Sequence, residues 1–131
     1  MSGALILVVE DNERSAKLLH DVLEHRGYRV LVATNGEDGV ALAREHLPAL
    51  VLMDIQLPGI NGIEAFEQLQ VSTATRDIPV IAVTASAMHE EVTRIASVGF
   101  AGYQPKPIRV MEFLQAMEAI LESAAPRADK S

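Results

Sequence analysis

Short unbroken apolar runs alternate with longer stretches in which apolar residues recur every three or four positions, from residue 5 to about residue 121. Residues 5–9, Leu-Ile-Leu-Val-Val, form the first run and stop at Glu10-Asp11-Asn12. A block without polar alternation suits a strand covered on both faces. From Asn12 or Glu13 to Arg26, the residues Leu18, Leu19, Val22 and Leu23 keep helical spacing, and Gly27 stands where a C-terminal cap belongs. Residues 28–33 are β-rich, Asn35-Gly36 is a turn signal, and Val40, Leu42 and Ala43 mark a second helix ending before Pro48. The apolar run 49–53 then leads to Asp54 and the loop 57–62. Ile63, Phe66 and Leu69 mark a third helix, 72–77 a polar loop and 78–83 a fourth strand, which Thr84 and Ser86 terminate. Met88, Val92, Ile95 and Ala96 share one face of a fourth helix ended by Gly99, and 100–104 is a last short strand. Val110, Phe113, Leu114, Met117, Ile120 and Leu121 line a fifth helix reaching about Ser123.

Five short apolar strands alternating with five helices predict a doubly wound α/β domain, a parallel sheet with helices on both faces. The expected boundaries are one domain over residues 1–123 and a flexible tail over 124–131. A chain of 131 residues fits one core and leaves no room for a second folded domain.

Composition narrows the chemistry. A formal charge of −7 and a pI near 5.0 disfavour direct contact with nucleic acid or anionic lipid. Magnesium or a basic partner surface fits better. Cysteine is absent, which removes disulfides, thiolate catalysis and cysteine zinc sites, and suits a reducing compartment. The apolar run at 4–9 has no basic residue before it and meets Glu10-Asp11 at once, so it is no signal peptide. No stretch approaches the roughly 20 apolar residues of a membrane span. A cytoplasmic protein without membrane insertion is expected.

In an open α/β sheet the carboxyl ends of the strands collect along one edge, where ligands bind. Glu10, Asp11, Asp54, Thr84 and Lys106 all fall at predicted strand ends and are expected to converge there. Three carboxylates at one place repel one another, and a hard dication with oxygen ligands or a nearby ammonium relieves them. Magnesium held by one or two carboxylates keeps positions for phosphoryl oxygens, and Lys106 supplies the ammonium.

The ordered set Glu10-Asp11, Met53-Asp54 with Leu57-Pro58 and Gly62, Thr84-Ala85 and Lys106-Pro107 resembles the response-regulator receiver family, over residues 4 to about 122. The stretches VVEDN, LMDIQLPGING and AVTASAM are similar to stand-alone receivers of the kind that controls bacterial cell division and differentiation. The resemblance implies a flavodoxin-like strand order 2-1-3-4-5 and a phosphoryl relay. Asp54 would accept a phosphoryl group from a phosphohistidine of a sensor histidine kinase or a histidine phosphotransfer protein. The resemblance makes Asp11 and Asp54 magnesium ligands, has Glu10 act through water, and completes the shell with the Gln56 backbone carbonyl. Lys106 and Thr84 would bind phosphoryl oxygens, with Thr84 and Tyr103 as the switch, and a cis Lys106-Pro107 bond would aim the lysine. The protein would assist its own phosphorylation and dephosphorylation and turn over no outside substrate. Output is expected through protein contacts on the face of helix four, strand five and helix five, because only about eight residues follow the last helix.

Glu10 stands where many receivers have aspartate, and Pro105 stands where many have a strand donor. Proline is tolerated there because the implied order makes the fifth strand an edge. The four histidines share no spacing that would hold zinc, and Glu37-Asp38 and Glu90-Glu91 read as solvated faces. Ser86 reads as a helix N-cap, and in the resembled family its position and that of Gln56 tune phosphate lifetime. Haloacid-dehalogenase-type phosphatases also use an aspartate after a strand, but they need a second aspartate two residues on, where this chain has Gln56. A flavodoxin-like phosphate loop is disfavoured by Glu10-Asp11-Asn12, which would repel the phosphate, and by the missing GxGxxG fingerprint.

Overall fold

A computed structural model describes residues 3–85 and 88–124. The elements follow in strict alternation: β1 (Leu5–Val9), α1 (Glu13–His25), β2 (Arg29–Ala33), α2 (Gly36–His46), β3 (Leu50–Asp54), α3 (Gly62–Gln70), β4 (Val80–Thr84), α4 (His89–Val98), β5 (Gly102–Pro105) and α5 (Val110–Ala124). All strand pairs are parallel, in the order β2-β1-β3-β4-β5. This is the doubly wound fold the pattern of apolar runs predicts.

The two-residue period of a strand divides the core in two. Leu7 and Val9 of β1, Val51 and Met53 of β3, and Val80 and Ala82 of β4 face one layer, closed by Val40 and Ala43 of α2, Ile63, Phe66 and Leu69 of α3, and Ile95 of α4. Ile6, Val8, Leu50, Leu52 and Ile81 face the other, closed by Leu19 and Leu23 of α1 and Phe113, Leu114 and Met117 of α5. Each large side chain so buried contributes about 1.5 to 3 kcal/mol relative to an exposed one. β3 and β4 are buried along their whole length, whereas β2 and β5, at the two edges, are partly open.

Helix starts are set locally. Asn12, Asn35 and Asn61 each accept a backbone N–H from three residues on, and Glu64 returns the bond to Asn61, completing a capping box. α4 differs from expectation, since its N-cap is Met88, with no side-chain cap bond, rather than Ser86. Ser86 and Ala87 lie outside the described residues, as does the expected tail beyond Ala124, which itself still belongs to α5. β4 begins two residues later than the apolar run suggests because the Ile78 N–H closes a turn on the Thr75 carbonyl at 3.1 Å. β5 begins two residues late for a similar reason. Phe100 is taken up by stacking on Phe66, with ring centroids 4.2 Å apart, instead of extending the strand. Among the described residues no helix is long and apolar enough to cross a membrane.

Candidate functional site

The carboxyl ends of β1, β3 and β4 bring Glu10, Asp54 and Thr84 together as buried polar residues, at 2%, 2% and 0% exposure. Glu10 is held at the end of β1 by its own N–H, which donates to the Ala33 carbonyl at 2.9 Å and continues the ladder with β2. Its Oε2 accepts the Asn12 N–H at 3.0 Å. Asp54 ends β3, and its Oδ1 accepts the Gln56 N–H at 3.0 Å. Asp11 is exposed, yet single carboxylate oxygens of Glu10, Asp11 and Asp54 lie within 4.8 Å of one another.

Lys106 reaches this cluster from the edge of the sheet. Its Nζ donates to Asp54 Oδ2 at 2.9 Å and lies 3.1 Å from Glu10 Oε1. The backbone around Pro105 explains its placement. The Ala101 N–H donates to the Val80 carbonyl, and donors on a parallel strand recur at every second residue, so residue 105 would be the donor opposite Thr84. Proline has no N–H to give, and the Lys106 N–H takes the Thr84 carbonyl instead, at 2.8 Å. Pro105 is the last residue of an edge strand, where the missing donor is harmless. The Lys106–Pro107 peptide is cis.

The electrostatics follow from burial. Burial pushes the Glu10 carboxyl above its ordinary 4.5, and the Asp54 charge adds to the rise against the Asn12 hydrogen bond and Lys106. Burial pushes Lys106 down, but the hydrogen bonds to Asp54 and Glu10 outweigh it and leave the ammonium above its ordinary 10.5. The pocket gathers three carboxyl groups around one ammonium. Its donor set is oxygen alone, with two carboxylates on strand ends and one on the following loop, which fits magnesium and does not suit a soft metal.

Tyr103 lies on β5 in register with Ala82, so its ring projects on the α4 side of the sheet, 39% exposed. Gln56 is exposed, and its backbone N–H rather than its side chain meets Asp54. Two participants were not singled out from the sequence. Asn12 both caps α1 and orients Glu10, and the only signal in the sequence was its place after two acids. Glu37 carries the other. It is exposed, as expected of a solvated face, and in addition accepts the Ile60 N–H of the loop after Asp54, at 3.4 Å.

An acidic pocket at the carboxyl ends of a 2-1-3-4-5 sheet, with a lysine from the edge strand beside it, is what the resemblance to receivers implies. The model of the response regulator receiver domain matches residues 6–118, and the chain belongs to that family. Among curated relatives it is 44% identical over 119 residues to the polar-differentiation response regulator DivK of Brucella anthropi, covering 91% of this chain and 97% of that protein. Among solved structures, a receiver domain protein of Methanospirillum hungatei superposes with a TM-score of 0.86 at 27% identity, covering 94% of this chain and 97% of that one. The receiver domain of a Pseudomonas aeruginosa sensor histidine kinase, described with magnesium coordinated in its active site cleft, gives 0.85 at 28% identity over 92% of this chain and 99% of that one.

Proposed function

We propose that this protein is a single-domain response regulator, with its receiver fold over residues 1–123, that accepts a phosphoryl group on Asp54 and signals through protein contacts. The observation that carries the reading is the position of Asp54, buried at the end of the central strand with one oxygen on a backbone N–H and the other on the Lys106 ammonium. A carboxylate oriented by two donors keeps lone pairs for in-line attack. Phosphoryl transfer asks for this positioning and for charge neutralisation more than for covalent machinery.

The donor is a phosphohistidine on a sensor histidine kinase or a histidine phosphotransfer protein. An Asp54 oxygen forms the new O–P bond while the N–P bond to imidazole breaks, and the leaving imidazole keeps that electron pair and takes a proton from solvent. Asp11 and Asp54 would hold magnesium directly, Glu10 through water, and the Gln56 carbonyl would complete the shell. When bound, magnesium neutralises charge on the transferring phosphoryl oxygens. Lys106 then pairs with a phosphoryl oxygen in place of its present carboxylate partner. The Thr84 hydroxyl reaches another, drawing its loop inward, and Tyr103 turns from solvent toward the space this opens. A hydrogen bond to a charged group is worth about 1.5 to 3 kcal/mol, enough to move a two-state equilibrium by one to two orders of magnitude. The altered face, built from α4, β5 and α5, binds the downstream protein. The excess negative charge supports protein partners over nucleic acid, and the protein is expected to act in the cytoplasm.

Acetyl phosphate with magnesium tests this reading. The intact protein should gain one hydroxylamine-labile phosphoryl group that maps to Asp54. A stable label, or one on another residue, would refute it.

A further inference from the structure

The acidic cluster is fixed at its strand ends, but the loop that leaves Asp54 runs from Gln56 to Asn61 before α3 begins, and something must hold it in place. At its far end, a Cβ on Gly62 would collide with the Asp54 carbonyl oxygen, so glycine lets the loop return directly onto the strand it left. The Gly62 N–H also donates to the Ile55 carbonyl at 2.9 Å. In the middle of the loop the contact comes from outside. Glu37, in the first turn of α2, accepts the Ile60 N–H on Oε2. Gly59 adopts φ +75°, and a Cβ there would lie 2.8 Å from the same Oε2 and 3.1 Å from Oε1. A Cβ on Gly36, next to Glu37, would likewise meet Ile60 at 2.7 Å. Of these three close approaches between the start of α2 and residues 59–60, two fall on the Glu37 carboxylate and the third seats Ile60 against Gly36.

We infer that Glu37 is a positioning residue, whose carboxylate clamps the loop after Asp54 so that the loop presents its backbone to the acidic pocket. This rests on the reading of that pocket as the magnesium-dependent phosphoryl acceptor. The chemistry separates a clamp from a mere charge. An added anion anywhere near an acidic pocket strengthens cation binding, so removing Glu37 for its charge alone would weaken magnesium binding in Glu37→Gln and Glu37→Ala alike. A clamp predicts a split. Glutamine keeps an acceptor oxygen for the Ile60 N–H and alanine does not.

The experiment measures magnesium affinity by calorimetry and the exchange rate of the Ile60 amide by NMR in metal-free protein, for the parent, Glu37→Gln, Glu37→Ala and Asp54→Asn. Glu37→Ala should bind magnesium about threefold to tenfold more weakly, below the range typical of partners bonded directly to a metal ligand. Its Ile60 amide should exchange faster, while Glu37→Gln stays near the parent in both. Parent-like affinity in Glu37→Ala, or equal weakening in both Glu37 variants, would overturn the inference. So would an Ile60 amide that exchanges at the parent rate in Glu37→Ala. Asp54→Asn separates the two readings, since parent-like magnesium affinity in that variant would refute the metal pocket itself, whatever Glu37 does to the Ile60 amide.

Discussion

The central strands and the edge strand contribute opposite kinds of residue to one pocket. β1, β3 and β4 deliver Glu10, Asp54 and Thr84, all at 2% exposure or less and held on ladders packed from both faces. β5 delivers Lys106, whose side chain is 26% exposed, and Tyr103 at 39%. The two carboxylates, Glu10 and Asp54, thus lie where packing is densest, and Lys106 and Tyr103, which the proposed function asks to change partner or rotamer, lie where one side is open. An interior packed on all sides is bistable at most and does not deform gradually, whereas an edge strand can turn a ring or re-aim an ammonium at little cost.

The severest way to break this comparison is Asp54→Asn, which removes the proposed nucleophile from the rigid side while keeping its volume. Phosphorylation by acetyl phosphate should fall to nothing measurable by mass spectrometry, with an unchanged far-UV spectrum. Full incorporation would mean that the fixed side of the pocket does not hold the acceptor.

Thr84→Ala sits at the junction of the two sides. The variant should still accept phosphate on Asp54 yet lose the roughly tenfold to hundredfold gain in partner affinity that one charge-assisted hydrogen bond can supply. A phosphorylated variant that binds the partner as tightly as the phosphorylated parent would place the coupling elsewhere.

Lys106→Met asks how much the open side matters to stability. It leaves two buried carboxylates with no ammonium, and with the lysine partly exposed the expected loss is about 1 to 2 kcal/mol at neutral pH in chelator, read by urea unfolding. Because its partners raise the Lys106 pKa, that contribution is present below pH 10.5 and is lost as pH climbs through the raised value. Adding Glu10→Gln to Lys106→Met should recover part of the loss. A parent-like midpoint for Lys106→Met would mean that the ammonium does not balance the cluster.

The smallest effect belongs to Glu10 alone. Its pKa is raised in the folded protein, so the unfolded chain releases this proton first and stability declines as pH rises from 4.5 through the raised value. In metal-free protein, Glu10→Gln should lack this decline, and its unfolding free energy should vary less with pH over that interval. Identical pH profiles would show that burial does not disfavour the Glu10 charge.

How much was legible beforehand depended on whether a feature is local. Apolar runs such as 5–9 and 49–53 set strand positions because a two-sided strand needs apolar residues on both faces, and the helical spacing of apolar residues placed the helices, whereas the asparagine caps at Asn12 and Asn35 emerged only in the structure. Where tertiary contacts competed, the edges moved. Phe100 left the last strand to stack on Phe66, and Ile78 went to a turn.

The sequence by itself determined the alternation of strands and helices, the family, and the candidates Glu10, Asp11, Asp54, Thr84 and Lys106, because apolar period and residue type at strand ends are written in neighbouring positions. Only the tertiary structure decided that Lys106 bridges Glu10 and Asp54, that the Lys106 N–H replaces the donor Pro105 lacks, and that Glu37 reaches the Ile60 N–H across the α2–loop contact. Those contacts join residues 96, 52 and 23 positions apart for the pairs Lys106–Glu10, Lys106–Asp54 and Ile60–Glu37, and no local pattern encodes a distance that the sheet order creates.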